Sequence, residues 1–166
     1  PGPADRPLVV AVEHLPDSLD PLRSVGPLAN ALAPLAWPGL LALDAHTGEP
    51  GPGLAERWDW SPDGTALTLT LSAGTRWSDG RPLTARDAVA SLEAARRLSP
   101  WLRALSAARS VRPVSRRAIV IEQDAHDCRL LADLTVGILP AETAQAIRDP
   151  RLAQALARLA RRGRRG

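Results

Sequence analysis

The chain has 166 residues, 45% of them hydrophobic, and a formal net charge of +3; that is length enough for one core and an apolar share that excludes an intrinsically disordered protein. All 21 basic residues are arginine, and the aromatic set is five tryptophans without Phe or Tyr. Arg161, Arg162, Arg164 and Arg165 crowd into the C-terminal tail, and without these four charges +3 becomes −1, so no basic face interleaved with recognition residues is present and nucleic-acid binding is not expected.

In chain order, PGPADRP (residues 1–7) reads as a flexible lead-in, and LVVAVE (8–13) as a strand buried on both faces. PDSLDPL (16–22) favours turns through its prolines and aspartates. Residues 28–43 are apolar but interrupted by Asn30, Pro34 and Pro38, which predicts a short helix ending before Pro34 and a further element after Pro38. No run reaches the roughly 20 uninterrupted apolar residues of a membrane span, so no stable membrane insertion is expected. AERWDW (55–60) is a short extended piece, SPDG (61–64) a hairpin turn, and TALTLTLSAG (65–74) alternates Leu with Thr at period two. The two segments are expected to pair antiparallel.

Ser78-Asp79-Gly80 forms a turn, and Thr84 caps a helix over residues 85–98, with Asp87 at the capping-box position and Ala88, Val89, Leu92 and Ala95 at helical spacing. WLRALSAA (101–108) supplies a helical turn or two. VRPV and AIVIEQD form a second hairpin with Ile119 and Ile121 on one side, DCRLLADL is a helix, and TVGILP (135–140) a short strand. Asp149-Pro150 starts a C-terminal helix that ends in RLARRGRRG.

Groups that could carry chemistry are few. His14, His46 and His126 match no HExxH spacing, no serine elbow is present, and the glycine pairs lack a phosphate-cradle pattern. Asp124, His126, Asp127 and Cys128 could hold a metal, but their loop context reads as a turn; Asp59, Asp63, Asp79 and Asp87 read as turn and cap residues. Trp58, Trp60 and Trp77 flank the hairpin, where a core or rim role is preferred to ligand stacking, and Trp37, in the apolar approach to Gly39-Leu40-Leu41, reads as core. Cys128 stands alone, which excludes an intrachain disulfide and leaves the compartment open. No enzyme activity and no cofactor are expected.

Taken together, SLDPLRS, the run WPGLLALDAHTGEPGPGLAERWDWSPDGTALTLTLSAGTRWSDGRPLTARDAVASLEAARR, VSRRAIVIEQD and GILP resemble the N-terminal part of the family 5 extracellular solute-binding proteins, the oligopeptide, dipeptide and nickel-type components of ABC transporters. The resemblance covers about residues 8–141. It implies a mixed α/β, periplasmic-binding-protein-II-like fold, here the first lobe and its small subdomain without the second lobe. Residues 8–43 would be the N-terminal segment of lobe I, 44–141 a small α/β subdomain, and 142–166 a C-terminal helix and Arg-rich tail.

It further implies capture of a peptide or similar small solute in the periplasm or outside the cell, after removal of a signal peptide, and delivery to ABC permease subunits. The segment after SLDP approaches the ligand in this family. Val25, Gly26 and Pro27 are therefore expected at the solute, through backbone contacts at the first two, with Trp37 and Trp77 lining the cleft. The chain departs from the family in the leucines of TLTLTL, in Pro38 before GLL, and in RRGRRG, where members continue into a Gly-rich segment and a second lobe. A truncated or frame-shifted remnant that binds nothing independently is the alternative expectation.

Overall fold

The computed structural model describes residues 20–22, 27–44, 46–99 and 101–148. The lead-in, the strand expected at residues 8–13 and the helix expected after Pro150 lie outside them.

Helix α1 (Pro27–Ala36) corrects one expectation: it does not stop before Pro34 but runs two residues past it, and the Trp37 amide still donates to the Ala33 carbonyl at 2.8 Å. Proline breaks helices by removing a donor and crowding the carbonyl four residues back. At the last turn that removes one bond, and at Pro27, the first helical position, it removes none. A two-stranded ribbon follows, β1 (Leu41–Leu43) antiparallel to β2 (Pro50–Pro52).

The main sheet has four antiparallel strands in the order β3 (Ala55–Trp60), β4 (Ala66–Leu71), β6 (Ala118–Glu122), β5 (Ser110–Pro113). Both expected hairpins are present. The alternation in TALTLTL puts Leu67, Leu69 and Leu71 on the buried face with Ile119 and Ile121 of β6. Trp58 and Trp60 stand opposite Leu69 and Leu67, so they share that face and pack on the core edge, as the structural reading of these tryptophans requires. A register shift between Ala55 and Arg57 makes a bulge at Glu56, whose carboxylate meets Arg117 at 3.0 Å.

Helix α2 (Ala85–Leu98) covers the buried face with Ala88, Leu92 and Ala95. Its start has the expected chemistry: the amide and the hydroxyl of Thr84 both donate to Asp87 Oδ2 at 2.9 Å. Short helices α3 (Arg103–Ser106) and α4 (Arg129–Asp133) pack together, and α5 (Ala141–Arg148) lies along α2. Buried Ser91 ties α2 to the chain before α5, donating to Leu139 O at 3.0 Å and accepting from Leu139 N at 2.9 Å.

The strand expected over TVGILP is corrected to a single bridge, Gly39 with Gly137. Residues 38–41 pass residues 134–138 antiparallel over this short contact: Leu41 N donates to Leu134 O and Ile138 N to Pro38 O, both at 3.1 Å. On the other side, Leu54 N and Ala55 N donate to Gly39 O and Leu40 O at 3.0 and 2.9 Å. The contact is tight because three glycines line it. A Cβ on Gly39 would sit 2.5 Å from Thr135 O, one on Gly53 2.7 Å from Gly39 O, and one on Gly137 2.7 Å from Trp37 O.

The turn between β3 and β4 yields a pH prediction. Asp63 accepts hydrogen bonds from the Ser61 hydroxyl and from the Thr65 amide and hydroxyl, led by Ser61, and these hold its carboxyl down to about 2 from 3.8. The folded value lies below the unfolded one, so the carboxylate supports the turn fully above pH 3.8 and loses that support as pH falls toward 2. The Thr65 amide resonance is expected to titrate with a midpoint near 2 in an NMR pH series; an ordinary carboxylate midpoint there would refute the bonding.

Candidate functional site

Trp37 follows α1 directly and is half-buried against the core. It stands between two shallow clefts. One, about 200 Å³, is shared with Pro21, Ala33, Val136 and Gly137; the other, about 280 Å³, with Asp20, Leu139, Thr143 and Ile147. A third cleft of about 330 Å³ lies beyond Pro34 and Pro38 against Leu41, Leu43 and Gly53. The first and third include glycines of the tight glycine-lined contact, Gly137 in one and Gly39 and Gly53 in the other, and all three linings are apolar apart from Asp20 and the hydroxyls of Thr135 and Thr143. The exposed side chains of Leu35 (82%) and Leu43 (50%) extend the same apolar region.

The approach to Trp37 is fixed by contacts that bridge distant parts of the chain. Asp20 Oδ1 accepts the Leu22 amide at 2.9 Å, the Asx turn expected from SLDP. Leu22 is fully buried, and its carbonyl accepts the buried Ser99 hydroxyl at the end of α2 at 2.9 Å. Leu22 is thereby pinned to the scaffold on one side of residues 23–26, and α1 begins on the other.

Among the expected site residues, Val25 and Gly26 lie outside the described residues. Pro27 is the first residue of α1. Trp77 sits in the turn closed by Gly80 N to Trp77 O at 2.9 Å, packs on the core, and lines neither of the Trp37 clefts. Val136, Gly137 and Leu139 were not expected at Trp37; the glycine in TVGILP was the signal that another backbone passes close by.

The groups around Cys128 behave as a turn. Asp124 pairs with Arg109, and Asp127 pairs with Arg129 at 2.8 Å, whose hydrogen bond holds the Asp127 carboxyl below its usual range. The His126 ring packs edge-on against Trp60, centroids 4.5 Å apart. Among the described residues no group of three or more His, Cys, Asp or Glu side chains is placed to hold a metal ion, and no helix is long and apolar enough to cross a membrane. Burial of apolar atoms, stacking on Trp37 and backbone hydrogen bonds are what the clefts can supply; they contain no nucleophile paired with a base.

The family "Bacterial extracellular solute-binding proteins, family 5 Middle" matches residues 49–148. The periplasmic oligopeptide-binding protein OppA of Escherichia coli is 40% identical over 74 residues, 45% of this chain and 13% of that protein. The periplasmic alpha-galactoside-binding protein of Rhizobium meliloti is 50% identical over 48 residues, 29% of this chain and 7% of that protein. The crystal structure of NikZ from Campylobacter jejuni with Ni(L-His) superposes with a TM-score of 0.68 at 25% identity, covering 79% of this chain and 27% of NikZ. The chain thus spans about a quarter of that solved relative's length.

Proposed function

This chain belongs to the family 5 bacterial extracellular solute-binding proteins, and on that premise we propose that it serves in the substrate-binding component of an ABC importer, capturing a peptide or similar small solute outside the cytoplasmic membrane and delivering it to permease subunits. The observation that carries the reading is the family match over residues 49–148, which takes in the main sheet and α2 to α5. Relatives named for oligopeptides and for alpha-galactosides match the chain at 40% and 50% identity, and the fold superposes on a nickel–histidine complex. A segment held in common by receptors for such different solutes is scaffold rather than selector. In this reading residues 8–43 belong to the first lobe, residues 44–141 form a small subdomain packed against it, and residues 142–166 supply a C-terminal helix and tail.

Within that arrangement Trp37 and the backbone of residues 25–27 face the solute, and Trp77 belongs to the scaffold. A solute that binds only the folded state raises the melting temperature by mass action. A thermal-shift screen of the chain against oligopeptides, alpha-galactosides and nickel–histidine is expected to show one responding class, and Trp37→Ala to abolish that response. No shift with any class, or a shift that survives Trp37→Ala, would count against solute contact at this cleft.

A further inference from the structure

A fourth concavity, away from Trp37, has the opposite chemistry. It is a notch of about 270 Å³ between the end of β4 and the start of α2, lined by Ser72, Thr75, Arg76, Arg116 and Arg117, with no carboxylate in its lining. Two of the three guanidinium groups are held in place by backbone carbonyls. Arg117 donates to Leu71 O through Nε at 3.0 Å and Nη2 at 2.8 Å, and Arg76 Nη1 donates to Gly80 O at 2.8 Å. The Arg116 carbonyl accepts the Ala85 amide at 2.9 Å, which fixes the root of that side chain at the N-terminus of α2. Its guanidinium has no partner among the described residues, and neither has the Ser72 hydroxyl.

Three arginines converge here against one carboxylate, that of Glu56, which pairs with Arg117 from outside the lining at 3.0 Å. Like charges held together repel one another, and a helix N-terminus adds positive potential. Guanidinium forks match the oxygens of a phosphate and make charge-assisted, bidentate bonds with it. Restraint of Arg76 and Arg117 by the backbone means that little side-chain freedom is left to lose on binding. We propose that this notch binds a phosphate group, with Arg116 and Arg76 as its principal donors and the Ser72 hydroxyl as a third. The group could be a soluble phosphate or the headgroup of an anionic phospholipid, and the site does not depend on the solute cleft.

Titration of the full chain with inorganic phosphate, followed by amide NMR, is expected to shift residues 74–76 and 116–117 selectively. Sulfate at equal ionic strength should compete and chloride should not. Arg116→Gln is expected to weaken phosphate binding about tenfold without altering the melting temperature, since its guanidinium anchors nothing among the described residues; Arg76→Gln should act in the same direction. Cosedimentation with phosphatidylglycerol vesicles, in a background where Arg161, Arg162, Arg164 and Arg165 are changed to Gln, separates the sources. Sedimentation lost in Arg116→Gln identifies a headgroup, whereas phosphate binding without sedimentation identifies a soluble ligand. Binding of neither, or binding indifferent to both notch substitutions, overturns the proposal. A silent solute screen alongside a positive phosphate titration would separate failure of the solute reading from failure of this one.

Discussion

Gly39→Ala and Gly137→Ala are each expected to destabilise the fold by about 3 kcal/mol, at the upper end of ordinary overpacking effects, and to lower the melting temperature by roughly 6–12 °C for a chain of this size. The atoms in the way are mostly backbone. A new methyl on Gly39 meets the carbonyl oxygen, carbonyl carbon and Cα of Thr135 at 2.5, 2.6 and 2.8 Å, and none of these can rotate aside. One on Gly137 meets Trp37 O at 2.7 Å and the Cβ atoms of Pro21 and Trp37 at 2.8 Å, so relief there would displace the tryptophan that divides the two clefts. Alanine also lowers the entropy of the unfolded chain, which stabilises by only about 0.4–1 kcal/mol and does not offset the clash. Gly51→Ala is the control: its nearest neighbour would be Ala42 O at 3.7 Å, an ordinary contact, and its effect should stay within about 0.5 kcal/mol. Urea denaturation followed by tryptophan fluorescence compares the three. Equal midpoints would mean that the contact is looser than described.

Asp87→Ala is expected to cost about 3 kcal/mol, because the carboxylate caps two helices at once. One oxygen takes the Thr84 amide and hydroxyl at the start of α2; the other takes the Ala141 amide at the first residue of α5, at 2.9 Å. Asp87 is only 9% exposed, so water does not readily replace the lost acceptor. Asp87→Asn keeps one oxygen but turns an N–H group toward a donor, and should fall between wild type and Asp87→Ala. Amide exchange gives the specific readout: protection at Ala141, which is 54 residues away in sequence, should fall in both variants. A loss of protection confined to the first turn of α2 would show that the second cap contributes nothing.

The double role of Asp87 shows where the sequence was legible. Its part in the capping box could be read from Thr84-x-x-Asp87 because capping is local, and α2 has the predicted bounds of 85–98. The Leu/Thr alternation likewise fixed which face of β4 is buried. Contacts made over long separations left little trace. TVGILP has strand composition, yet its partner lies about a hundred residues earlier in the chain and pairs with it at one antiparallel bridge in place of a ladder. Helix α5 leaves a weaker trace: Ala141, Ala144 and Ile147 recur at helical spacing, but the stronger start signal lies just beyond them at Asp149-Pro150. Pro34 signals a stop in the sequence, whereas in the last turn of α1 it is tolerated. The residues around Trp37 read as core, and it packs there; its expected place at the solute rests on resemblance alone, and Val136, Gly137 and Leu139 beside it come from the far end of the described chain.

The strand order has a consequence for a nascent chain. β4 lies inside the sheet, but of its two neighbours only β3 precedes it; β6 is synthesised after α2, α3 and β5. The Gly39–Leu41 segment waits longer still, until residues 134–138 leave the ribosome. One edge of β4, and the side of the Gly39–Leu41 segment that faces residues 134–138, therefore stay open until those later residues emerge, a topology rich in remote pairings that closes slowly and late. Holding factors that shield unfinished sheets would find their target in the first 120 or so residues, before the last central strand arrives to seal it.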